Sequence, residues 1–148
     1  MTALHMARPE DAPRVLTLVA AFHAELGIDS DDTSRQAGIG PLLDGSPHGV
    51  VYLMGPQRAP IGYVVISFGW SVEFGGMDGF LDEIYVRPGV RGRGIGSEVL
   101  AQLAKALSTA GMKALHLEVR KEDQKTRRFY EKLHFAARDG YVLMTRQG

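Results

Sequence analysis

The segment Val86-Arg87-Pro88-Gly89-Val90-Arg91-Gly92-Arg93-Gly94-Ile95-Gly96-Ser97 gathers residue types that hold an anion. Glycine has no Cβ, so the backbone there can approach a ligand closely and adopt positive φ. If such a loop opens a helix, its N–H groups and the first N–H groups of the helix point into one concavity. The helix dipole adds to their pull on negative charge. Arg91 and Arg93 supply fixed cations whose planar forks suit phosphate oxygens. The chemistry this suggests is capture of a pyrophosphate. Three other readings compete. A plain turn before a helix needs only one or two glycines. A P-loop ends in Gly-Lys-Ser/Thr, which is missing here. A dinucleotide fingerprint opens its fold and is followed by an acid about 20 residues on. This loop lies well past the middle of the chain.

Just upstream stand Asp82 and Glu83, two carboxylates able to accept a proton directly or through water. Adjacent strand residues face opposite sides of a sheet, so only one of the two is expected to reach a bound substrate. For either, a solvated or ion-paired carboxylate is the plain alternative. Tyr130 shares a helix face with Asp123 and Thr126. It reads either as a working phenol or as a core aromatic with a satisfied hydroxyl. The histidines are His5, His23, His48, His116 and His134. None pairs at metal-ligand spacing beside a third ligand, so no metal is assigned. No Ser/His/Asp order stands out. Phe68 and Trp70 read as core or as the wall of an acceptor pocket.

These residues need elements to position them. Leu4 and Met6 suggest a short first strand. Pro9, Glu10 and Asp11 open a helix over 9–26, with acids in the first turn where the dipole favours them. Val15, Leu16, Val19, Phe22 and Leu26 recur at helical spacing, and Gly27 stops the run. Residues 28–46 read as a long connection holding a short helix. Strands follow at Val50–Met54, Ile61–Val72 and Phe80–Val86, separated by Pro- and Gly-rich turns, including one at Gly75–Gly79. The loop comes next. After it come a helix over Ser97–Ala110, a strand through Leu115, Leu117 and Val119, a helix over Asp123–Leu133 with Asp123 as N-cap, and a last strand at Tyr141–Met144. The order predicts an α/β fold, a mixed α+β sheet with helices on both faces.

Composition sets the outer bounds. A chain of 148 residues suggests one domain, 1–148. Its 17 basic and 17 acidic residues cancel, which argues against wholesale nucleic-acid or anionic-membrane binding. The chain has no cysteine, which excludes disulfides, thiolate metal sites and a cysteine nucleophile, and fits a cytoplasmic location. Met1 to Glu10 carry charge early and no long apolar run, so no signal peptide is expected. No stretch approaches the roughly 20 apolar residues of a membrane span.

In context, the loop resembles that of the GNAT superfamily of N-acetyltransferases. The family signature is Gln/Arg-x-x-Gly-x-Gly/Ala, which Arg91, Gly94 and Gly96 match in spacing. Leu81-Asp82-Glu83-Ile84-Tyr85-Val86 with Pro88 is similar to the family's preceding strand. Leu117-Glu118-Val119-Arg120 and Phe129-Tyr130-Glu131-Lys132-Leu133-x-Phe135 are similar to its next strand and helix. The likeness covers nearly the whole chain and is strongest over 80–135. Three departures stand out. His134 occupies a position usually held by glycine, and Asp123 and Thr126 stand where asparagine and alanine are frequent.

The resemblance implies a GNAT-like acyl-CoA N-acyltransferase fold with a mostly antiparallel central sheet. It implies acetyl-CoA as co-substrate and an amine acceptor. The segment Arg91, Gly92, Arg93, Gly94, Ile95, Gly96 and Ser97 would hold the pyrophosphate, and Ile84, Tyr85 and Val86 would bond the pantetheine through their main chain. Asp123 and Tyr130 would approach the cofactor from the last helix, with Tyr130 as general acid to the departing sulfur. The base would be Asp82, Glu83 or, as in related N-terminal acetyltransferases, Glu118; a bulk-water relay is the alternative. Many relatives dimerise, so a homodimer is expected. A looser similarity around Phe68–Ser71 and Phe80–Glu83 points to the diamine and polyamine branch. There Asp82, Glu73 or Glu25 would attract a cationic amine. The alternatives are a peptide N-terminal or lysine acetyltransferase, a catalytically silent CoA sensor, and a nucleotide-binding module using the loop alone.

Overall fold

The computed structural model describes residues 1–148. They form two compact units, Met1–Glu118 and Val119–Gly148. No helix is long and apolar enough to cross a membrane.

The first unit is built on a five-stranded sheet in the order β1-β2-β3-β4-β5. Its strands are β1 (Leu4–Met6), β2 (Gly49–Met54), β3 (Gly62–Ser71), β4 (Gly76–Val86) and β5 (Ala114–His116). The first four pair antiparallel, and β5 joins β4 in parallel. Helices α1 (Ala12–Leu26) and α2 (Asp32–Leu43) lie between β1 and β2 in sequence, and α3 (Ile95–Thr109) lies between β4 and β5. Strand alternation sorts the core. Val51, Leu53, Tyr63, Val65 and Tyr85 share a cluster with Val15, Leu18 and Val19 of α1 and with Ile39 and Leu43 of α2. Val50, Val64 and Ile66, of opposite parity, are also buried, and so is Leu81, which the register sets opposite Ile66. So are Val99, Leu100 and Leu103 on the apolar stripe of α3. A sheet with apolar residues on both faces has to be covered on both.

One expectation needs correction here and two are made definite. Gly76 to Gly79 form no turn but the first residues of β4, and the reversal occupies 72–75. A Cβ on Gly79 would lie 2.6 Å from the end of Met112, so this glycine serves close packing within a strand. The stretch 28–46 carries a twelve-residue helix, α2. Asp31 caps it, accepting from the Ser34 backbone N–H at 2.8 Å while its own N–H donates to Ser34 Oγ at 3.0 Å. Trp70 is 75% exposed and so is no core residue. It lies where the outer ends of β3 and β4 leave the buried part of the sheet.

The alternation at Leu115, Leu117 and Val119 yields only the three residues of β5, Ala114–His116, which pair with Asp78–Phe80 before the chain leaves β4. The second unit contains α4 (Gln124–Glu131). Asp123 caps it by accepting from the Thr126 N–H at 3.1 Å. Tyr130 packs edge-on against Phe129 and Phe135, with ring centroids 5.1 and 5.7 Å away. His134 ends the turn at φ +72°, accounting for the glycine usual there, since a left-handed residue without Cβ is unstrained. Tyr141–Met144 form no strand and are exposed. An alternating pattern becomes a strand only where another edge completes its hydrogen bonds.

Candidate active site

The chemistry of the first unit converges on the second half of β4. Register with β3 slips between Val65 and Ile66: Val65 faces Glu83, Ile66 faces Leu81, and Asp82 is left without a partner. This is a β-bulge, which re-aims the extra side chain. Simple alternation is therefore broken at Asp82 and Glu83, and the two need not occupy opposite faces. Beyond Phe80 no strand lies along the β5 side of β4, so the main chain of Ile84 and Val86 faces an open edge while that of Tyr85 turns to β3. The Tyr85 side chain is core, packed on Phe22 and Tyr63, and its backbone faces Tyr63 in the β3–β4 ladder, which leaves the main chain of Ile84 and Val86 as the groups able to meet a ligand.

The two carboxylates are held differently. Glu83 accepts from the Tyr63 hydroxyl at 2.7 Å and sits 2.6 Å from His23 Nε2. Burial, then the charge and hydrogen bond of Glu83, push the Tyr63 phenol far up, so it remains a donor. No hydrogen bond or ion pair engages the Asp82 carboxyl. Partial burial, then the negative charges of Glu83 and Glu118, raise its pKa; His23 opposes the rise. Glu118 therefore belongs to the same electrostatic cluster as Asp82 and Glu83. A carboxylate raised toward neutrality is a better proton acceptor at working pH than an ordinary one.

The loop follows β4 directly. Pro88–Val90 form one 3-10 turn, and Gly92 and Gly94 take φ of +80° and +76°. Gly94 is the N-cap of α3, and the first backbone bond of the helix runs from the Glu98 N–H to the Gly94 carbonyl at 3.0 Å. The N–H groups of Ile95, Gly96 and Ser97 therefore precede the helical ladder and stay available, as an anion site requires. A Cβ at Gly92 or Gly94 would meet no protein atom within 4 Å, so the space above them is open. Arg91 is already engaged. Its two terminal nitrogens donate to Glu25 at 2.7 and 2.6 Å, its Nε donates to the Val86 carbonyl at 2.8 Å, and its guanidinium lies 5.5 Å from the Tyr85 ring centre. Glu25, expected as a lure for a cationic amine, is paired with Arg91, whose hydrogen bond holds its carboxyl below the usual range. Arg93 is exposed and makes no ion pair.

Asp123 and Tyr130 belong to the second unit. Burial, then the charge of Asp123, raise the Tyr130 phenol, which therefore keeps its proton at neutral pH. Sequence reasoning missed His23, Tyr63, Ser30 and Arg35. One signal was available: His23 lies four residues after Val19, placing a polar ring on the buried stripe of α1.

Residues 13–135 match the model of a family described as acetyltransferase (GNAT). An acetyltransferase of Pectobacterium atrosepticum is 36% identical over 72 residues, 47% of this chain and 51% of its own length. The chain thus spans about half the length of the curated relatives it matches. A structure from Arthrobacter sp. FB24, provisionally described as an acetyltransferase, is 34% identical with TM-score 0.78, covering 99% of this chain and 94% of its own. An aminoglycoside N-acetyltransferase solved in complex with CoA shares the fold, with TM-score 0.79 at 16% identity over 99% of this chain and 95% of its own.

Proposed function

This chain belongs to the acetyltransferase (GNAT) family, and from that premise we propose that it moves an acetyl group from acetyl-CoA to a primary amine by direct attack in a ternary complex. One observation carries the reading: the open edge of β4 at Ile84–Val86 leads from a cluster of three carboxylates straight into the Gly/Arg loop. A thioester arm laid along that edge would present its carbonyl beside the carboxylates while its pyrophosphate met the N–H groups of 95–97. Arg93 would add charge there. Arg91, tied to Glu25 and Val86, would shape the loop.

The chemistry needs two proton movements. An alkyl ammonium has a pKa of about 10.4 and must lose a proton before its lone pair can attack. In this reading Asp82 accepts that proton, directly or through a water. The amine nitrogen then bonds to the carbonyl carbon, the C–S bond breaks, and the thiolate takes a proton from Tyr130. A backbone N–H of β4 polarises the carbonyl oxygen. The acceptor is a small cation such as a diamine or polyamine, drawn by the uncompensated acids. A peptide N-terminus is the second reading, favoured by Glu118 within the cluster. A cytoplasmic homodimer completes the proposal; the exposed Trp70 and Val72 at the hairpin are compatible with pairing.

The test is release of free CoA thiol from acetyl-CoA across a library of diamines, polyamines, aminoglycosides, amino-acid amides and peptides with free N-termini. Turnover with any amine supports transfer. CoA binding without turnover would make the chain a sensor, and tight ATP binding without CoA binding would make it a nucleotide module.

A further inference from the structure

His23 of α1 reaches across to β4, where its side chain is 14% exposed and that of Glu83 17%. Its Nε2 lies 2.6 Å from Glu83 Oε2, and its Nδ1 lies 2.7 Å from Ser30 Oγ. Arg35 donates to the Ser30 carbonyl at 2.6 Å and to Ser30 Oγ at 3.0 Å. On the far side, Tyr63 donates to Glu83 Oε1 at 2.7 Å. The titratable and charged groups around the ring are therefore Glu83 and Asp82 from β4, Tyr63 from β3 and, beyond Ser30, Arg35 from α2. Phe22 covers one side.

Donor and acceptor logic places a ring proton on Nε2. A guanidinium can only donate, so Ser30 Oγ accepts from Arg35. The Ser30 hydrogen is then free to point at Nδ1. An ionised carboxylate can only accept, so the ring proton sits on Nε2 and is donated to Glu83. Every member of the row from Arg35 to Tyr63 finds a partner in this arrangement. A fully satisfied row of this kind holds a single geometry.

We propose that His23 is a positioning residue which, with its tautomer set by Ser30 and Arg35, clamps Glu83 as a fixed anion oriented toward the acceptor amine. This rests on the acetyltransferase reading. Adjacent Asp82 and Glu83 carboxylates repel each other. Two donors on Glu83 stabilise its charge, and that charge in turn keeps Asp82 receptive to a proton. His23 thus acts on the reaction through Glu83 without touching the reacting atoms.

The test uses the full chain with a diamine acceptor, in a cycle of H23L, H23Q, E83Q and H23L/E83Q. H23L is expected to lower kcat/KM for the amine by roughly tenfold or more, the scale of losing one hydrogen bond to a charged group. Its acetyl-CoA Kd by calorimetry should stay unchanged. H23Q, whose amide can still donate to Glu83, should recover most of the loss. In the E83Q background H23L should add little, since a residue acting through another is not additive with it. Equal losses in both backgrounds, or no recovery with glutamine, would overturn the role. Nitrogen NMR of the imidazole supplies a readout independent of turnover, and applies even if H23L does not fold. The Nε2–H tautomer is expected in the wild type, with mixing in Ser30→Ala. A wild-type Nδ1–H tautomer would overturn the clamp. A chain that acetylates no amine but keeps the Nε2–H form would overturn the transferase reading and the kinetic role, leaving the clamp as a structural fact.

Discussion

At the scale of single residues, Asp82 combines two opposed effects. Its pKa is raised by burial, then by Glu83 and Glu118. A raised folded-state pKa means that the folded chain binds this proton more tightly than the unfolded chain. The stability it contributes is complete below the ordinary carboxylate value and is lost as pH rises through the folded value. Ionised Asp82 therefore weakens the fold at neutral pH. Asp82→Asn should raise Tm at pH 7, and the gap from wild type should close below about pH 4, where the native residue is also neutral. The same substitution should lower kcat by about 10²–10⁴-fold if Asp82 is the base. A variant losing both stability and rate at pH 7 would contradict this account. Tyr130 gives the complementary case. Tyr130→Phe should reduce kcat on a similar scale, with acetyl-CoA affinity unchanged by calorimetry. Wild-type kcat where chemistry limits the rate would make Tyr130 a core aromatic, as its packing between Phe129 and Phe135 permits.

At the scale of elements, the strand–loop–helix unit from β4 to α3 depends on backbone conformation more than on side chains. Gly94 sits at φ +76° with nothing within 4 Å of where a Cβ would be. An L-residue there pays about 1–2 kcal/mol for the left-handed conformation but meets no protein atom. Gly94→Ala and, more strongly, the β-branched Gly94→Val should therefore lose stability in thermal unfolding through backbone strain and not through a clash. CoA affinity should separate them, because only the valine puts bulk into the open space above the loop. Equal CoA affinity in the two folded variants would mean that the cofactor does not pass over Gly94. His134, at φ +72°, already bears such strain at the end of α4.

At the scale of the whole molecule, 17 basic and 17 acidic residues leave no net charge to steer a ligand. Attraction for a cationic acceptor must then come from the local cluster of Asp82, Glu83 and Glu118. A local field is screened over the Debye length, about 10 Å at 0.1 M salt. For diamines, kcat/KM should exceed that of neutral amino-acid amides and fall as salt rises, chiefly through KM. The amides should show little salt dependence. Peptides turned over well, with diamines ignored, would move the acceptor to the second reading.

Several features were legible in the chain alone, because they depend on local rules. The Gly/Arg run reads as a helix-opening anion loop since only glycine takes those φ values freely, and the 3.6-residue and two-residue periods mark α1, α3 and the meander. Asp123 reads as a cap because a short acid before a helix has one favourable use. Other features exist only through contacts distant in sequence. Whether Gly76–Gly79 is turn or strand, and whether Tyr141–Met144 pairs at all, depends on the presence of a neighbouring edge. The bulge at Asp82 appears only when β3 sets the register. The pairings of Glu25 with Arg91 and of His23 with Glu83 join residues 66 and 60 apart in sequence. A carboxylate's charge state and aim are set by which donors the fold brings to it, and no local pattern encodes that.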